Sequence, residues 1–311
     1  MKPFRKHVAI SIDGGGIKGV MVTRALSMLE GHLGKAVHDL FRLTAGTSTG
    51  AIIAAGIGAG LTGDQMYELY NQLGKTVFRK SWRTLLWLLA RYRYPNAPLR
   101  AALERQVGKM TMGEFWTADP PTDVVITTFD LVANRTRFVK PWKDEYKAWS
   151  VVKTVVASSA VPTYFPVVEG RYVDGGVGSY ANPCYLAAYE LRFCLNWDPA
   201  ETTLISLGTG RGPHTLREGD ANRFRAWHWI GPLLGAFLQS ADDQQVRLVG
   251  NFFDQLDFRR FQVDFKEPIG TDDPSKIPEL TAYGDELGRK IIDDETDQTV
   301  EVKADLAPAR L

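Results

Sequence analysis

Residues 7–19 read HVAISIDGGGIKG. The first six have the apolar character of a strand buried on both faces, and three glycines follow almost at once. A glycine run after a buried strand lets the backbone come very close to something else. Gly14, Gly16 and Gly19 match the dinucleotide fingerprint G-x-G-x-x-G, which suits the loop to a pyrophosphate. The same loop is equally suited to the negative oxygen of a reaction intermediate. The rest of the chain has to decide between the two.

Beyond the loop, Val22, Leu26, Leu29 and Leu33 recur at helical spacing, with Arg24, Ser27 and Glu30 off the stripe. A short strand is expected over 41–45, followed by Gly46-Thr47-Ser48-Thr49-Gly50. Residues 51–57 are apolar on every side and read as a buried helix. Thr62 and Gln65 form a capping box for a helix carrying Met66, Leu69, Tyr70 and Leu73. Further strands are expected at 123–129, 137–139, 172–173 and 203–207, and helices near 98–107, 150–160, 183–192 and 278–292. This alternation points to an α/β fold with a mostly parallel central sheet. Residues 78–95 and 222–240, rich in Trp, Arg and Leu, read as insertions, and the pattern fades past 294. The expectation is one domain over 1–293 and a polar, disordered tail over 294–311.

The 311 residues are 44% hydrophobic and 23% charged, ordinary for a globular chain able to bury a sizeable core. With 37 basic and 36 acidic residues there is no net field to attract nucleic acid, and no nucleic-acid partner is expected. Cys184 and Cys194, ten residues apart, make neither a disulfide framework nor a zinc site, and suggest a reducing compartment. The longest apolar runs, 51–61 and 85–90, are too short to span a bilayer. The basic N-terminus is followed by an apolar stretch that Asp13 interrupts, without a cleavage-like site. Together these point to a cytoplasmic protein, with peripheral membrane contact as its route to lipid.

The chemistry centres on G-T-S-T-G at 46–50, a serine between glycines at a strand-to-helix turn, the nucleophile-elbow pattern. Such a turn presents Ser48 Oγ outward, and the following helix aims its N-terminus at it, with the Thr49 N–H placed to donate to an oxyanion. A nucleophilic serine needs a base. Of the five histidines only His214 and His228 follow Ser48 in the order an α/β-hydrolase triad requires. His214 lies in a G-P-H-T turn and His228 between two tryptophans, settings that suit surface or packing roles. The other candidate is Asp174 of V-D-G-G, at a strand end, whose basicity desolvation would raise.

D-G-G-G-I-K-G (13–19), G-T-S-T-G (46–50) and D-G-G (174–176) stand in this order, with A-S-S-A-V-P-T-Y-F-P (157–166) before the third and L-I-S-L-G-T-G (204–210) after it. In this combination the sequence resembles the patatin-like phospholipases, a bacterial-type patatin-like serine acyl hydrolase, over roughly residues 7–210. The resemblance implies a three-layer α/β/α sandwich and a Ser–Asp dyad without histidine: Ser48 as nucleophile and Asp174 as base. It implies an oxyanion hole at Gly14, Gly15 and Gly16, which the Thr49 N–H read from the turn would join, and no cofactor is expected. Lys18 stands at the family's basic position and is a candidate to hold a lipid phosphate as a point charge. Asp13 is expected to shape the glycine loop through backbone hydrogen bonds.

The implied activity is hydrolysis of fatty-acyl esters of phospholipids, of phospholipase A or lysophospholipase type, through an acyl-serine. An acyltransferase using the same dyad is the close alternative. A dinucleotide-binding protein is the rival of another class. That rival needs an acidic residue ending the second strand, whereas Asp39 precedes that strand. Residues 78–95 carry five basic residues and no acidic one, with Trp82, Leu85, Leu86 and Leu89 on one helical face, a composition suited to an anionic lipid surface. Residues 223–239 are similar. The basic aromatic stretch is also compatible with an activating small molecule such as a nucleotide. D-D-E-T-D at 293–297 lacks the glycine and spacing of a calcium loop, so no metal is expected there.

Overall fold

The computed structural model describes residues 1–79, 81, 84, 90–213, 216–225, 228 and 230–300, with the backbone alone over 230–240. In chain order the first half runs β1 (His7–Ile12), α1 (Gly19–Leu33), α2 (Val37–Leu40), β2 (Leu43–Gly46), α3 (Thr49–Gly58), α4 (Gly63–Thr76), α5 (Ala97–Val107) and α6 (Met112–Thr117). The second half runs β3 (Asp123–Asp130), β4 (Arg135–Val139), α7 (Val151–Ser158), β5 (Tyr172–Asp174), α8 (Cys184–Tyr189), β6 (Thr202–Leu207), α9 (Ile230–Phe252), β7 (Asp257–Phe261) and α10 (Ile277–Asp293).

The sheet order is β4-β3-β2-β1-β6-β7, parallel throughout except for antiparallel β4, with the short antiparallel β5 also on β3. Strand alternation sends side chains into two cores. Val8, Ile10, Ile12, Val124, Ile126 and Ile205 pack under α1, α3, α4, α7 and α10, whereas Ala9, Leu43, Ala45, Val125 and Leu204 pack under α8 and the end of α9. Both faces of the central strands are therefore covered, as their continuous apolar runs demand. The mostly parallel, three-layer α/β/α architecture is the one expected. The Thr62–Gln65 capping box forms as read.

Two elements differ from the sequence reading. Residues 222–240, read as an insertion, contain the start of the 23-residue helix α9. β7, D-F-R-R-F, was not foreseen, because two consecutive arginines do not look like a strand. Both are buried, and carboxylates neutralise them: Arg259 meets Asp257, two residues earlier in the same strand, and Asp294 beyond α10, and Arg260 meets Asp13 and Asp242 from distant segments. Of the tail, Asp297 pairs with Arg211, and its N–H donates to the Arg260 carbonyl at 2.7 Å; residues 301–311 lie outside the described residues. Trp82, Leu85, Leu86 and Leu89 also lie outside them, as does His214. Among the described residues, no helix is long and apolar enough to cross a membrane.

Topology decides where a site can form. β1 is flanked by β2 and β6, and the chain leaves β1 toward one face through α1 and leaves β6 toward the other through α9. The carboxyl ends of β1 and β6 therefore frame the crevice where α/β sheets bind ligands. A second consequence comes from β5. β2 pairs with β3 only as far as Gly46–Ile126, and β5 takes up the edge of β3 beyond it, with Asp174 opposite Thr128. The strand ending in Asp174 is thus brought to the end of the strand that leads to Ser48.

Candidate active site

Ser48 sits at a sharp turn with φ 56° and ψ −119°, a left-handed conformation that a non-glycine residue holds only under constraint. The constraints are specific. The Ser48 N–H donates to Ser158 Oγ at 2.9 Å, and Ser159 Oγ donates to the Ser48 carbonyl at 3.2 Å. The flanking glycines remove bulk: a Cβ on Gly46 would lie 2.1 Å from the Gly50 carbonyl oxygen, and one on Gly50 would lie 2.0 Å from the Ile12 carbonyl oxygen. Thr47 Oγ1 donates to the Tyr180 carbonyl at 2.5 Å, so in its 2.6 Å contact with Thr127 Oγ1 the Thr127 hydroxyl is the donor. The elbow is thereby tied to the loop that follows Asp174.

Asp174 is buried at the end of β5, and its Oδ1 accepts from the Gly176 N–H at 2.8 Å. Burial raises its pKa to about 6, with donation from the Ser48 hydroxyl and then the Gly176 N–H pulling the other way. Oδ2 is buried and takes no partner of full hydrogen-bond geometry. The Ser48 hydroxyl lies near enough to this carboxyl to lower its pKa. Of the described histidines, His32 is exposed in the last turn of α1 and the other three are engaged elsewhere. His7 stacks on Trp197, His38 Nδ1 meets the Ile57 carbonyl, and exposed His228 accepts from the Arg225 N–H.

The glycine loop lies directly on the serine, since a Cβ on Gly14 would come 3.3 Å from Ser48 Cβ. One expectation needs correcting. The Gly14 N–H donates to the Ala181 carbonyl at 2.8 Å and is not free for an oxyanion. The N–H groups of Gly15, Gly16 and Thr49 take no acceptor among the described residues. Gly16 has φ +61°, and a Cβ there would lie 2.2 Å from the Thr271 carbonyl oxygen, so glycine is required twice over. The loop is held by Thr209 Oγ1 on the Gly14 carbonyl at 2.6 Å and by the Ile17 N–H on the Thr271 carbonyl at 2.9 Å.

Asp13 also departs from expectation. Its carboxylate does not turn back on the loop: Arg260 Nη1 donates to Oδ1 at 3.0 Å and Nη2 to Oδ2 at 2.5 Å. Arg260 further meets Ser206 Oγ at 2.9 Å and Asp242 of α9 at 3.2 Å. Burial pushes the Asp13 carboxyl up to about 7, against the pull of Arg260. Within so close a bidentate pair the guanidinium favours the carboxylate form. Neither Arg260 nor Thr209 could be found from local pattern, since each reaches the loop across more than 190 residues.

Lys18 is partly buried with Nζ 5.2 Å above the Phe265 ring, and burial lowers its pKa. No carboxylate pairs with it among the described residues. The dinucleotide reading finds no support here. β2 ends at Gly46, not at an acidic residue, and runs straight into the serine turn.

Comparison with known proteins bears on the family and the fold. A family model described as patatin-like phospholipase matches residues 10–188, more than half of the chain. The chain is 27% identical over 267 residues to a Pseudomonas aeruginosa protein named cGAMP-activated phospholipase, covering 81% of this chain and 78% of that one. It is 32% identical over 231 residues to calcium-independent phospholipase A2-gamma of Homo sapiens, covering 67% of this chain and 29% of the relative. The chain spans less than a third of the length of the mammalian relatives it matches. VipD from Legionella pneumophila has a similar fold, with a TM-score of 0.53 at 12% identity over 94% of this chain and 67% of that one. The chain belongs to the patatin-like phospholipase family of lipid-hydrolysing enzymes.

Proposed function

We propose that this chain cleaves fatty-acyl esters of phospholipids through an acyl-Ser48 intermediate, with Asp174 as the sole general base. The observation that carries the reading is a strained, buried serine whose hydroxyl acts on a buried carboxyl, beneath a loop whose N–H groups are uncommitted among the described residues. In the first step Ser48 Oγ attacks the ester carbonyl carbon while its proton passes to Asp174 Oδ2. The carbonyl oxygen becomes negative and accepts from the Gly15, Gly16 and Thr49 N–H groups. Collapse breaks the ester C–O bond, and the departing alkoxide takes the proton from Asp174. Water then gives a proton to Asp174 and attacks the acyl carbon. The second collapse releases the fatty acid and returns the proton to Ser48.

Lys18, beside the glycine loop and without a carboxylate partner among the described residues, would attract the lipid phosphate. The test is labelling by a fluorophosphonate, which reacts with an activated serine. Wild type is expected to label, and Ser48→Ala and Asp174→Asn are not. Labelling that survives loss of Ser48 sinks the proposal. Product analysis on mixed phospholipid vesicles then identifies the bond cleaved. An arm with cyclic dinucleotide belongs in that assay, because one relative is named as cGAMP-activated.

A further inference from the structure

The apolar stripe of α4 contains one residue that does more than fill the core. Tyr70 is 2% exposed, and its hydroxyl lies 2.8 Å from Thr49 Oγ1 and donates to the Thr49 carbonyl at 3.0 Å. Thr49 Oγ1 in turn donates to the Gly16 carbonyl. Each hydroxyl has a single proton and a carbonyl can only accept, so the direction is fixed. The proton of Thr49 goes to Gly16, and the phenol is the donor to Thr49, shared between its Oγ1 and its carbonyl. A second observation concerns Gly19, the last glycine of the loop motif. A Cβ there would come 2.5 Å from the Tyr70 ring, so the absence of a side chain seats the ring against the loop.

We infer that Tyr70 is a positioning residue for the oxyanion hole, clamping the N-terminus of α3 to the glycine loop through the chain Tyr70 O–H to Thr49 O–H to Gly16 carbonyl. The inference rests on the acyl-serine reading above. Gly16 and Thr49 supply N–H groups from two separate segments, one after β1 and one after β2. An oxyanion hole works only if its donors stay aimed while charge develops, and the Tyr70–Thr49 chain is the polar link that fixes the two segments to each other. The link itself touches no substrate. Its loss acts on the transition state and leaves ground-state binding intact.

The experiment compares Tyr70→Phe, Thr49→Val, Thr49→Ser and Tyr70→Phe/Thr49→Val with wild type on p-nitrophenyl butyrate. Tyr70→Phe keeps the ring on Gly19 and removes only the hydroxyl. It is expected to lower kcat by about tenfold with KM changed by less than about twofold, since a donor one step removed counts for less than an oxyanion-hole donor itself. The rate of Ser48 labelling by fluorophosphonate, which builds a similar oxyanion, should fall by the same factor. Thr49→Ser should retain activity and Thr49→Val should not, with the double variant no worse than Thr49→Val. A wild-type kcat in Tyr70→Phe, a change confined to KM, or additive losses in the double variant would overturn the inference. If Tyr70→Phe does not fold, the Thr49 pair decides: equal activity of Thr49→Ser and Thr49→Val overturns it. Labelling unaffected by Ser48→Ala would instead overturn the acyl-serine reading, so the two failures are distinct.

Discussion

Lowering the pH from 7 to 5 should switch this enzyme off through Asp174, and the same carboxyl should make the fold less stable as it ionises. Burial holds Asp174 at about 6 in the fold, against an ordinary value of 3.8. A group at that value is about nine-tenths ionised at pH 7 and about one-tenth at pH 5. In the proposed mechanism Asp174 must be ionised to take the Ser48 proton, so kcat/KM should fall about tenfold between those pH values. An unperturbed aspartate would lose almost nothing over the same range. The stability effect has the opposite sense. A carboxyl whose pKa is raised in the fold stabilises the folded state fully below pH 3.8. That contribution disappears as pH rises through about 6. Ionising Asp174 in its buried site therefore costs the fold about 3 kcal/mol at neutral pH, so Asp174→Asn should be inactive yet more stable at pH 8, by up to about that amount. The assay is kcat/KM on a soluble short-chain ester from pH 4.5 to 8.5, read by product chromatography, with urea melts of both proteins at pH 8. A limb of slope one assigns the loss to one carboxyl, whereas slope two would bring in Asp13, raised to about 7. A flat profile, a limb near pH 4, or an Asp174→Asn protein no more stable than wild type would refute the reasoning.

Other consequences follow from the packing around the elbow. Gly50→Ala would place a Cβ 2.0 Å from the Ile12 carbonyl oxygen, backbone against backbone, and should cost about 1–3 kcal/mol in a urea melt while abolishing serine labelling. Arg260→Met leaves Asp13 buried beside Asp242 without its cation and should cost about 3–5 kcal/mol at neutral pH. Adding Asp13→Asn to that variant should recover much of the loss, and failure to recover would show that the charge pair is not what holds the loop.

Much of the fold was legible because its elements carry their own period. The buried strand His7–Ile12, the apolar stripe of α1 and the Thr62–Gln65 cap are local patterns, and the chain realises them within a residue or two. β7 was illegible for a local reason, since Arg259 and Arg260 look solvent-facing until Asp294, Asp13 and Asp242 reach them from elsewhere in the chain. α9 was obscured because its start is embedded in a tryptophan- and arginine-rich stretch that reads as an insertion. At the candidate site, the spacing of glycines around Ser48 and beside Asp174 marked both residues, because tight turns require glycine wherever they occur. The spacing did not reveal which glycine N–H groups were free. Ala181 takes that of Gly14, and Ala181 is not near it in sequence.

By itself, then, the sequence determined the strand-loop and strand-turn-helix units and the residues able to do chemistry in them, because steric demands on a turn are written within five residues. Only the tertiary structure decided how those units meet. β2 stops at Gly46, so β5 can take the vacant edge of β3 and carry Asp174 to Ser48. Arg260 reaches Asp13 from β7, and Tyr70 reaches Thr49 from α4. Such contacts depend on strand order and helix packing, which pair residues by position in space, and no local period encodes them.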